Sequence, residues 1–168
     1  MEKQHKRFPA QDTQGERLIE NTLIAKGGVY VDEQGKSSEM ENAKFLYSKQ
    51  WPLHTNANAK EKLTCDFVLF LDSMVFIEYD GEFHFKILSP GDKGFLTLFE
   101  QHSRDLLKDS HCEDEKIPLL RIRYDQQDLI DELLDDLLLN PPKYVLQHNP
   151  QWETYYAESE YEIKKHRR

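Results

Sequence analysis

The stretch Asp66–His84, DFVLFLDSMVFIEYDGEFH, constrains the fold more than any other part of the chain. Phe67 to Leu71 and Met74 to Ile77 are almost continuously apolar, the pattern of strands covered on both faces. Asp72-Ser73 between them is a turn signal, so the two runs read as a hairpin. From Ile77 the pattern changes to period two. Ile77, Tyr79, Phe83 and Phe85 fall on one side and Glu78, Asp80, Glu82 and His84 on the other, provided Gly81 inserts no bulge. Met74 and Phe76 share the parity of Glu78, so one face begins apolar and ends charged, as a core strand does when it opens into a cleft. A solvated edge strand is the plainer reading of the same acids.

Carboxylates at alternate strand positions lie about 7 Å apart and repel by about 2 kcal/mol at an effective dielectric of about 20. Such a face calls for a cation, and a divalent metal with oxygen ligands meets the need. Asp66 opens the first strand and Glu78 lies on the second, with Glu16 or Glu20 on an upstream helix able to reach the same cleft. Tyr79 can add a backbone carbonyl. In an antiparallel pair Asp66 and Glu78 share a face only across a loop of odd length or a bulge. A three-residue loop or an equivalent irregularity is therefore predicted. Acids around Mg²⁺ or Mn²⁺, beside a positioned water, form the arrangement that phosphodiester hydrolysis uses.

The rest of the chain supplies the layers. Asp12 or Thr13 as N-cap, with Glu16 in the first turn, starts a helix whose apolar stripe is Leu18, Ile19, Thr22, Leu23 and Ala25. Gly27-Gly28 stops it, and Val29–Val31 is a short strand candidate. Residues 32–62 form a polar insertion with one strand-like segment, Phe45 to Leu53. A helix of about Leu96–Cys112, a strand Ile117–Tyr124 with Pro118 at its start, and an acidic helix Gln126–Leu139 follow. This order predicts an α/β domain, a mixed central sheet flanked by helices, over residues 12–140. Residues 1–11 read as a flexible basic N-terminus and 141–168 as a C-terminal appendage with a basic tail.

Net charge of −9 excludes a generally basic nucleic-acid-binding surface. Basic residues nevertheless gather at the ends, at Lys3, Lys6 and Arg7 and at Lys164, Lys165, Arg167 and Arg168, either as phosphate-binding arms or as solubilising tails. Two cysteines give neither a disulfide framework nor zinc-site spacing. The apolar runs fall far short of a membrane span, so the expected setting is intracellular and cytoplasmic, with no membrane partner.

Gly15-Glu16, Asp66-Phe67, the run Ile77-Glu78-Tyr79-Asp80-Gly81-Glu82-Phe83-His84-Phe85, Arg104-Asp105 with Lys108 and Cys112, and Ile117 with Leu119-Leu120-Arg121-Ile122 occur here in that order. In these the chain resembles the PD-(D/E)XK, or restriction-endonuclease-like, nucleases. It is most similar to a small branch related to very-short-patch-repair-like, phage and homing endonucleases. The resemblance implies an αβββαβ core, with Glu16, Asp66 and Glu78 holding Mg²⁺ or Mn²⁺. It implies hydrolysis of DNA, double-stranded DNA as partner, and the option of a homodimer to cut both strands. At one place the chain departs from the pattern. The second position after Glu78 should carry lysine, and Asp80 stands there instead. Lys108 on the following helix can supply that charge, and His84 can act as base or second metal contact.

Glu20, Asp80, Glu82 and Asp105 are accessory candidates, and Arg121, Arg123 and the basic ends are candidates for phosphate contact. Several residues also have a purely structural reading. Glu16 can be a helix-start acid, His84 a satisfied buried histidine, Lys108 a solvated helix lysine, and Arg104 with Asp105 an ion pair. A rival reading is a catalytically inactive nucleic-acid-binding or assembly protein that keeps the nuclease fold. The missing lysine and the acidic charge favour it. An RNA-directed nuclease is a second rival.

Overall fold

A computed structural model describes residues 12–32, 34–35, 40–53, 63–87 and 92–145. Helix α1 (Gln14–Ala25) starts at Thr13, whose hydroxyl accepts the Glu16 N–H while the Glu16 carboxylate accepts the Thr13 N–H, a reciprocal cap. Gly27, at φ +95°, ends it in a conformation that favours glycine. Strand β1 (Gly28–Tyr30) follows, then a 3₁₀ turn at Met40–Asn42 and strand β2 (Phe45–Pro52). Strands β3 (Thr64–Phe70) and β4 (Met74–Asp80) form the expected hairpin.

Helix α2 (Asp92–Asp114), strand β5 (Leu119–Arg123), a 3₁₀ stretch at Tyr124–Leu129 and helix α3 (Ile130–Leu139) complete the described chain, with a last 3₁₀ turn at Pro141–Tyr144. The five strands stand in sequence order. β1 runs parallel to β2 and β4 parallel to β5, while β2, β3 and β4 are antiparallel neighbours. This is an α/β fold with a mixed sheet.

The hairpin register is Phe70↔Met74 through Phe67↔Ile77, so Leu71, Asp72 and Ser73 make the predicted three-residue loop. One sheet face carries Phe67, Leu69, Val75, Ile77 and Ile122, packed under α1 and α3 through Ile19, Leu23, Ile130, Leu134 and Leu137. The other carries Val68, Phe76 and Leu119, covered from α2 by Cys112. Burying these side chains contributes roughly 1.5–3 kcal/mol each.

The strand expected at Phe45 to Leu53 within the polar insertion is the eight-residue β2, paired on both sides within the sheet. Three expectations change in detail. The period-two alternation ends at Asp80, because Gly81 (φ −64°, ψ 169°) leads into a 3₁₀ turn at Glu82–His84 rather than more strand. The apolar-to-charged face is reversed in exposure: Met74 is exposed, whereas Glu78 and Asp80 are buried. The last helix begins at Ile130, four residues later than its pattern suggested, after the 3₁₀ stretch. The basic ends and most of the appendage lie outside the described residues.

Candidate functional site

The β3–β4 ladder stops at Phe67↔Ile77, and the next rung is built from side chains. That register sets Asp66 opposite Glu78. Tyr79 N–H donates to Asp66 Oδ2 at 2.8 Å, and Asp66 N–H donates to Glu78 Oε1 at 3.3 Å. Each carboxylate thus replaces a backbone acceptor of its own ladder, which forces the two acids side by side where the strands part. Beyond this point β4 pairs on with β5, to Asp80↔Arg123.

Helix α2 brings a cation to the pair. Lys108 Nζ lies 2.6 Å from Glu78 Oε2, with both side chains nearly covered. Burial alone would lower the Lys108 ammonium, but the Glu78 and Asp66 charges outweigh it and hold the pKa above its ordinary value. Asp66 behaves in the opposite sense. Burial first, and the Glu78 charge second, push its carboxyl well above the usual carboxylate range, against Lys108 and the Tyr79 N–H. One lysine therefore leaves this pair of acids short of positive charge.

Asp66, Glu78, Lys108, Glu16, His84 and Tyr79 all line one cleft of about 410 Å³. Glu16 stands at its wall with its carboxylate turned back to cap α1. α1 approaches closely because position 15 is glycine: a Cβ there would lie 2.1 Å from the Tyr79 ring. The Tyr79 hydroxyl in turn accepts a hydrogen bond from Gln127 at 2.6 Å.

Behind the cleft lies a sealed ion network. Asp80 accepts from Arg121 Nη1 at 2.7 and 2.9 Å. Asp109 accepts from Arg121 Nε at 3.0 Å, and the Asp105 carbonyl from Nη2 at 3.3 Å. His84 Nδ1 lies 2.8 Å from Asp105 Oδ2 and 3.3 Å from Asp80 Oδ1. Burial would raise Asp105, but the His84 hydrogen bond and the Arg121 charge hold its carboxyl below the ordinary value. Among the described residues, Asp80, His84 and Asp105 form the one group of three or more histidine, cysteine or acid side chains whose ligand atoms lie within 4.8 Å of one another, close enough to hold a metal ion. The Arg121 guanidinium already meets much of that negative charge.

The placements redistribute the roles expected from sequence. Arg121 is 5% exposed and locked by acids, so it anchors the core instead of reaching a phosphate. Arg123 stacks on Phe85, 4.4 Å from the ring centroid, and pairs with Asp125. Glu82 is exposed and pairs with Lys86 at 3.1 Å, because the chain has left the strand by then. Glu20 is taken up by Lys49 and the Tyr47 hydroxyl. Asp80 supports the network, and Asp105 joins His84 rather than simply pairing with Arg104. Lys164, Lys165, Arg167 and Arg168 lie outside the described residues. Both cysteines are buried thiols, and burial pushes Cys112 up to about 12, which marks it as inert packing.

Sequence reading passed over Gln50, Gln101 and Asp109. Gln101, Asp105 and Asp109 repeat at helical spacing with the buried Leu98 and Cys112, and polar residues on a buried helix face are a readable signal. Gln50 gave none. No known protein family, curated protein or solved structure matches this chain.

Proposed function

We propose that this chain is a metal-dependent DNA endonuclease with a restriction-endonuclease-like core. The observation that carries the reading is the Asp66–Glu78 pair, set side by side at a strand divergence with the Lys108 ammonium against it. The element order α1, β2–β4, α2, β5 is compatible with the αβββαβ core that the sequence resemblance implies. Among the described residues no helix is long and apolar enough to cross a membrane.

The donor set suits a hard divalent cation: carboxylate oxygens of Asp66 and Glu78, with Glu16 and the Tyr79 carbonyl nearby, in a pair of acids that one lysine leaves under-neutralised. Mg²⁺ or Mn²⁺ bound there would offset charge gathering on phosphoryl oxygens. Lys108 replaces the lysine missing at position 80, holding its ammonium beside Glu78 where an attacking water loses its proton. His84, held through Nδ1 by Asp105, is among the residues lining the cleft and is the proposed proton acceptor there. Asp66 is steered by the Tyr79 N–H. Duplex DNA is the proposed substrate.

Supercoiled plasmid incubated with Mg²⁺ or Mn²⁺ tests the proposal. Nicked or linear product is expected from wild type, and none from Glu78→Ala, from Asp66→Asn, or with chelator. Intact plasmid that is nonetheless bound by wild type would instead support a nucleic-acid-binding protein without catalysis. Preferential breakdown of RNA in the same tubes would move the substrate class.

A further inference from the structure

Gln50 sits in the middle of β2 at φ +51°, a left-handed conformation uncommon outside glycine. The β2–β3 ladder runs through Lys49↔Phe67, resumes at Trp51↔Cys65, and lacks the rung between them, which is Gln50 opposite Asp66. Strain of this kind persists only where its surroundings over-determine it. Here the side chain is tied at both ends. Gln50 Nε2 donates to Asp66 Oδ1 at 3.4 Å, and the Thr64 hydroxyl donates to Gln50 Oε1 at 3.1 Å. The ionised Asp66 carboxylate is acceptor-only, so in that form the contact fixes which end of the amide faces it.

Asp66 is thereby gripped on both oxygens, by Gln50 on Oδ1 and by the Tyr79 N–H on Oδ2. We propose that Gln50 is a positioning residue, whose left-handed backbone and Thr64-anchored amide orient the Asp66 carboxylate toward Glu78 for cation binding. The proposal rests on the reading of Asp66 as a cation-binding group. Gln50 acts through Asp66, and the strained rung in β2 serves the cleft rather than the sheet.

Glycine at position 50 separates the two roles, because it takes this backbone conformation freely while removing the amide. Mn²⁺ alone is titrated into wild type and Gln50→Gly by calorimetry, beside thermal melts in chelator. The Gln50 side-chain amide signals are followed in ¹⁵N-labelled wild type, Asp66→Asn and Thr64→Val. Gln50→Gly should melt at or above wild type yet bind Mn²⁺ about tenfold more weakly. The amide signals should move in both partner variants.

Wild-type Mn²⁺ affinity in Gln50→Gly overturns the proposal. So do amide signals identical to those of a solvent-averaged glutamine. A wild type that binds Mn²⁺ but leaves plasmid intact removes the nuclease reading and leaves Gln50 to be judged by the affinities. If wild type takes no Mn²⁺, the metal reading and the cation-binding role of Gln50 fall together, and the amide signals report only whether the grip on Asp66 exists.

Discussion

Lys108 reaches Glu78 across the sheet–helix interface, its Nζ 2.6 Å from Oε2 although the residues are 30 positions apart in sequence. Removing one partner of a buried ion pair leaves an uncompensated charge, which costs about 3–5 kcal/mol. Lys108→Met should lose that amount in urea unfolding. The double variant Lys108→Met/Glu78→Met should regain part of it, since neither member of the pair is then left as an orphan charge, while Asp66 still loses the Lys108 charge. A double variant as unstable as the single one would contradict the pairing.

Two carboxylates in neighbouring layers should give opposite pH signatures. Asp66 has a raised pKa when folded, so it adds stability below its unfolded value of about 3.9 and loses it as pH rises through the folded value. Without divalent cation, Asp66→Asn should therefore melt higher than wild type at pH 8, the gap closing toward pH 4. Asp105 is held low, so its stabilisation exists above the unfolded value and fades as pH falls through the folded one. Asp105→Asn should melt lower than wild type at pH 7, with the difference shrinking in acid. Scanning calorimetry from pH 3 to 8 reads both.

Arg121 holds Asp80 and Asp109 together inside the protein. Arg121→Met strands those acids and should cost about 3–5 kcal/mol. Arg121→Lys should also destabilise, because an ammonium cannot reproduce the guanidinium fork. If either variant instead folds normally and simply binds DNA less tightly with a shallower salt slope, Arg121 is a phosphate contact after all.

Gly15→Ala places a methyl group 2.1 Å from the Tyr79 ring. Overpacking of this sort costs about 1–3 kcal/mol. The displaced ring should also break the Gln127–Tyr79 hydrogen bond and shift both Glu16 and the Tyr79 carbonyl, so plasmid nicking should fall further than stability alone explains. The comparison is made well below the melting temperature of the variant.

The hairpin and its loop length were legible because a buried strand pair must keep its face parity, and Asp66 and Glu78 had to share a face to matter. The α1 cap was legible because Thr13 and Glu16 stand at capping-box spacing. Asp80 was harder. In sequence it is one more acid in an alternating run, and only its partner Arg121, 41 positions on, turns it from a cleft residue into a buried anchor. Glu82 misled for the reverse reason: local alternation continues through Gly81, while the backbone does not. Gln50 stayed invisible, since a positive φ at a glutamine follows from tertiary pull and not from residue preference.

The Asp80–Arg121 clasp also closes position 80 to a lone lysine. Lysine at position 80 would trap two like charges inside the protein, beside acids already arranged for one. The substitution is feasible only as a swap, with Arg121 surrendered at the same time. Asp80→Lys should therefore fold poorly alone, and better when a neutral residue replaces Arg121 as well.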